Sequence, residues 1–162
     1  MQKPRYFQRA IASFQQRRRK SREQRLDAVV LPKEVEILLR DGDLTRDFRE
    51  FLQIIGLPDL IAYVNFVLRV LSLQKIEQKE SRNEENHAEI NKEEVVEIYT
   101  RYLKPYAHER LDIDWMARTK VERRLKSGLV IPEIFNESLQ LASARFVAKL
   151  SKFLQSTGVL LN

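Results

Sequence analysis

The chain has 162 residues, 43% of them hydrophobic, enough to bury one core and leave an extension over. It contains no cysteine, which excludes disulfides, thiolate metal sites and cysteine catalysis. Only four Gly and five Pro are present, and the apolar residues recur at threes and fours rather than alternating, so hairpin-rich β folds are excluded and an all-α fold is predicted.

The net charge of +6 is unevenly spread, because residues 1–25 hold nine Lys/Arg against a single Glu and the remainder of the chain is slightly acidic. Within residues 1–30, read as a basic N-terminal extension, Phe7, Ala10, Ile11 and Phe14 lie at helical spacing ahead of Arg17, Arg18, Arg19, Lys20 and Arg22. An amphipathic basic helix is expected from Pro4 to about Leu26. Clustered cations favour an acidic partner, whether membrane, filament or protein surface, and nucleic acid is not the expected one. A solvated leader whose aromatics dock on the domain is the plainer alternative. Lys3, Arg5 and Arg9 interrupt the apolar residues at the very start, so no signal peptide is expected. The chain is read as cytoplasmic, with attachment to membrane or cytoskeleton through this segment.

Residues 31–158 are read as one helical domain. Pro32 suits a first helical turn, and Glu34 and Glu36 favour its positive end. Val35, Leu38 and Leu39 make its apolar stripe. Gly42 is expected to stop this helix as a left-handed cap, with Asp43 or Thr45 capping the next one. That helix carries Phe48, Phe51, Leu52 and Ile55 on one face. Gly56-Leu57-Pro58-Asp59 breaks it, and Asp59 is expected to cap a central helix. From Leu60 to Leu73 only Asn65, Arg69 and Ser72 interrupt the apolar run, so this helix is expected to be buried on most of its circumference. The run is too short, and too charged at Arg69, for a membrane span.

Between Gln74 and Glu94 apolar residues nearly vanish, which predicts a polar loop before a helix restarting at Asn91. Its buried face is Val95, Ile98, Tyr99, Tyr102 and Leu103. Lys104-Pro105 ends it. Asp114 is expected to cap a helix from Trp115 to Leu125, with Trp115 substantially buried in the core. Ser127-Gly128 stops that helix, Leu129 to Pro132 is an extended connection, and a long last helix from about Glu133 buries Phe135, Leu139, Ala142, Phe146, Leu150 and Phe153. His87 and His108 are the only histidines. There is no Gly-rich phosphate loop and no Ser/His/acid constellation, so no enzymatic chemistry, cofactor or metal is expected.

Three separated segments, DFREFLQIIGLPDLIAYVNFVLRV, EIYTRYLKPYAHERLDIDWMARTKVERRL and IFNESLQLASARFVAKLSKFLQST, together resemble a regulator of G-protein signalling (RGS) homology domain over about residues 31–157. The resemblance implies a multi-helix bundle. It also implies the family's usual activity, acceleration of GTP hydrolysis by G-protein α subunits, achieved by holding the switch segments of the GTPase rather than by bond chemistry. Active members place Glu-Asn before the central helix, an Asn before an apolar-Asp pair, and an Asp and an Arg late in the last helix. The matching positions here are Asp59 and Leu60, then Asp112 before Ile113 and Asp114, then Lys149 and Lys152. The first amide is replaced by the apolar Leu60 and the second by the Asp112 carboxylate, which when ionised only accepts. The resemblance and its departures together give a non-catalytic RGS-like interaction module. An active GTPase activator with a divergent surface and a helical structural protein of a cytoskeletal or ciliary assembly stand beside it.

Overall fold

The computed structural model describes residues 29–80 and 86–159. The basic extension at Arg17, Arg18, Arg19, Lys20 and Arg22 lies outside the described residues, as does the side chain of His87. Among the described residues the chain is all-helical, with α1 (Lys33–Arg40), α2 (Gly42–Ile54), α3 (Leu60–Glu80), α4 (Asn86–Ile98), a π-helical turn (Tyr99–Leu103), α5 (Trp115–Lys126), a 3-10 turn (Pro132–Phe135) and α6 (Asn136–Ser156). No helix among these residues is long and apolar enough to cross a membrane.

The junction of α1 and α2 departs from the expectation. Gly42 is the first residue of α2 rather than a left-handed cap, and the cap is Asp41, whose carboxylate accepts from the backbone N–H groups of Asp43 and Leu44, both at 3.1 Å. Asp41 in extended conformation both ends α1 and starts α2, so no glycine is needed. Thr45 is not a cap either. Its buried hydroxyl donates to the Leu38 carbonyl at 2.7 Å, tying the two helices together. At the far end of α2, Gly56 adopts φ +78°, and Leu57 N–H reaches back to the Leu52 carbonyl at 2.8 Å, the bond pattern that favours glycine after a helix.

Helix α3 starts through backbone bonds, Leu60 N–H to Leu57 O and Ile61 N–H to Pro58 O, rather than through the Asp59 carboxylate. It buries Tyr63, Val64, Phe66, Val67, Val70 and Leu73, with Leu60, Ile61, Leu68 and Leu71 packed half-buried around them. It also runs on to Glu80, and α4 begins at Asn86 rather than Asn91. Much of the predicted polar loop is therefore helix, because Glu, Lys and Gln are good helix formers even where no apolar stripe advertises it.

The longest contact in the fold is the antiparallel packing of α3 on α6. Gln74 donates to Asn136 Oδ1 at 2.9 Å and to the Pro132 carbonyl at 3.3 Å, while eleven residues earlier Tyr63 meets Arg145. Two aromatic groups fill the core on either side. Phe48 and Phe51 from α2 pack on Phe146 and Phe153 from α6, with Phe153 at 5.4 Å from each α2 ring. Phe66 meets Tyr102 and Phe135 edge-on at 5.6 and 5.9 Å, a geometry favoured by ring quadrupoles. Trp115 stays outside this core, 66% exposed. It follows the Asp114 cap on the solvent side, and the inward face of α5 is taken by Ala117 and Val121.

Candidate functional site at the α3, α6 and 111–114 edge

The π-helical turn sets the site's position. Lys104 N–H closes on the Tyr99 carbonyl at 2.9 Å, and the wider turn puts both Tyr102 and Leu103 in the core. The chain then doubles back, with Glu109 N–H on the Arg101 carbonyl at 3.2 Å and Leu111 N–H on the Tyr102 carbonyl at 2.9 Å. From there the side chains alternate. Leu111 and Ile113 are buried, while Asp112 points out and is 93% exposed.

Asp112 is held by its backbone rather than its carboxylate. Its N–H donates to Tyr63 Oη at 2.8 Å, and the Tyr63 hydroxyl is 3.3 Å from the Asp112 carbonyl, within donating distance. Arg145 on α6 also donates to Tyr63 Oη, at 3.3 Å. A hydroxyl has one donor and two acceptor sites, so these three partners use the full capacity of Tyr63. The Arg145 guanidinium also lies over the Tyr63 ring, 5.3 Å from its centroid, and 3.7 Å from the Asp112 carboxylate. The hydrogen bond to Tyr63 and then the charge interaction with it push the Arg145 pKa further up, against a loss from burial, with the Asp112 carboxylate adding the least.

The candidate residues distribute around this cluster. Asp59 is exposed and Leu60 half-buried at the start of α3, one turn before Tyr63. Ile113 is a core residue. Asp114 caps α5 by accepting from Met116 N–H at 2.9 Å. Lys149 is half-buried and Lys152 exposed, one and two turns beyond Arg145 on α6. The antiparallel register of α3 and α6 carries this stretch of α6 toward the start of α3, since both helices rise by about 1.5 Å per residue. The two residues that tie the edge together, Tyr63 and Arg145, are absent from the sequence-derived set. The signal for Tyr63 was available, because a tyrosine in an otherwise apolar helix brings a hydroxyl that must find a partner.

Comparison with protein-family models and with curated proteins gives no match.

Chemically the edge presents a carboxylate beside a guanidinium on a rigid backbone, and it holds no nucleophile with an adjacent base. Among the described residues no group of three or more His, Asp or Glu is arranged to hold a metal. A second concavity, an open cleft of about 570 Å³, lies against Arg49, Asn65, Arg69 and Arg101. Its cations are already engaged. Arg49 donates to Asn65 at 2.8 Å, Arg69 pairs with Glu94 at 3.0 Å and more closely with Glu97, and Arg101 pairs with Glu109 at 2.7 Å.

Proposed function

We propose that this chain is a non-catalytic, RGS-like interaction module that docks a signalling protein, with a G-protein α subunit as the first candidate. One observation carries the reading. The three separated segments that resemble the RGS domain converge on a single edge through Tyr63, Asp112 and Arg145.

At that edge the side chains favour binding over activation. GTPase activation in the family relies on an amide that both donates and accepts, whereas Asp112 offers an exposed carboxylate that only accepts and repels a site crowded with phosphate oxygens. Leu60, in place of the second amide, packs against the core and offers no hydrogen bond. Loss of one such contact costs a few kcal/mol of transition-state stabilisation, on the order of a hundredfold in rate. The basic segment at Arg17 to Arg22 supplies salt-sensitive attachment to an acidic surface in this reading.

The test compares capture of G-protein α subunits loaded with GDP and with GDP plus aluminium fluoride, followed by single-turnover GTP hydrolysis. Binding without acceleration is expected. Robust acceleration by the unmodified chain establishes an active GTPase activator instead, and failure to capture either form removes the G-protein partner. Asp112→Asn is the informative variant, because its exposed side chain can change without disturbing the Tyr63 bonds to its backbone.

A further inference from the structure

Trp115, the chain's single tryptophan, sits at the first turn of α5 with Met116 beside it, 66% and 52% exposed. Next to it lies a recess of about 180 Å³, lined by Tyr99, Leu103, Pro105 and Trp115 together with Arg110 and Arg118. Its volume suits one large side chain. The two arginines differ from those of the wider cleft. Neither pairs with a carboxylate among the described residues, and the Nε of Arg118 is buried without a hydrogen-bond partner. The one acid in the lining, Glu122, is engaged by Lys126 at 2.9 Å. Helix α5 as a whole carries five Lys/Arg and one Glu. An exposed Trp beside two arginines without carboxylate partners is an arrangement that binding energy concentrates on, since both residue types are enriched at interface hot spots.

We propose that this recess docks an acidic peptide segment of a partner protein, which inserts one Leu or aromatic side chain beside Trp115 and sets a neighbouring carboxylate against Arg118 and Arg110. A carboxylate set beside the two guanidinium groups gains charge-assisted hydrogen bonds, and the apolar insertion covers Trp115. A polyphosphate backbone fits less well, because half of the lining is Tyr99, Leu103, Pro105 and Trp115 and the nearby Lys120 and Lys126 are held by Glu137 and Glu122. The proposal does not depend on the G-protein reading.

The test selects peptides from a random display library on the full chain, then titrates the synthesised consensus while following Trp115 fluorescence. The expected consensus has a Leu or aromatic residue within one turn of at least two Asp or Glu, gives a saturable spectral shift, and binds Trp115→Ala and Arg110→Gln at least about tenfold more weakly. Affinity for Trp115→Ala is read with a dye-labelled peptide. Both side chains are exposed, so both variants should fold. The proposal is overturned if no peptide is enriched, if the consensus lacks acids, or if both variants bind as the parent does. It is also overturned if anionic vesicles or single-stranded RNA produce the spectral shift and the peptide does not compete.

Discussion

Helices α3 and α6 meet through two opposite kinds of chemistry. Along their middle they bury Val64, Phe66, Val67, Ala142, Phe146 and Leu150 in a core of apolar side chains. At one edge the same two helices contribute Tyr63 and Arg145 to a polar cluster that fastens the backbone of Asp112. The core tolerates any partner of suitable shape, because apolar burial is non-directional. The edge does not, since a hydroxyl with three partners accepts only one placement of each. The core therefore supplies stability, and the edge decides where the 111–114 segment sits and what it shows to solvent.

The strongest way to break the core side of this comparison is Phe66→Ala. That ring is fully buried against Tyr102 and Phe135, and its removal should cost about 3–5 kcal/mol in denaturant unfolding. A cost below about 1 kcal/mol would remove Phe66 from the core. Tyr63→Phe addresses the edge. It keeps the ring and leaves the Asp112 N–H without its partner, so about 1–3 kcal/mol is expected, with faster hydrogen exchange at Asp112 while the amides of α6 stay protected. Uniformly faster exchange would show that the edge is not a separate element.

Ser143→Ala sharpens the comparison in the other direction. The Ser143 hydroxyl is buried on α6 without a hydrogen-bond partner, so its removal should be neutral or stabilise the fold by up to about 1 kcal/mol. A clear loss of stability would reveal a bond that the hydroxyl makes. Alkaline pH is the mildest lever. Burial, followed by the nearby Glu109 charge, pushes the Tyr102 phenol up, and burial followed by Glu122 does the same at Tyr99. A group whose folded pKa is raised stabilises the fold fully below its unfolded value and loses that contribution as pH rises through the folded one. Stability should therefore fall only above about pH 10, accompanied by tyrosinate absorbance. A loss beginning near neutral pH would point to other groups.

Much of the helical order was legible. The Asp114 cap, the stop at Gly128 with φ +89°, the Pro132 turn and the stripe from Phe135 to Phe153 all follow from spacing and local chemistry. These signals lie within a few residues of one another, so the chain carries them before it folds. The junction at Asp41 was not legible, because two adjacent capping candidates and a glycine compete there, and the choice rests on how α1 packs on α2.

The sequence by itself determined the all-α class, the position of most helices after residue 31 and the buried faces of α3 and α6, because periodicity and caps are local. Only the tertiary structure decided that Tyr63, Asp112 and Arg145, separated by 49 and 82 residues from Tyr63, form one cluster, and that Trp115 faces solvent beside two arginines without carboxylate partners among the described residues. A hydroxyl signals that it needs partners but not which ones, and an aromatic side chain signals that it can be buried but not that room remains once Ala117 and Val121 have taken the inward face of α5.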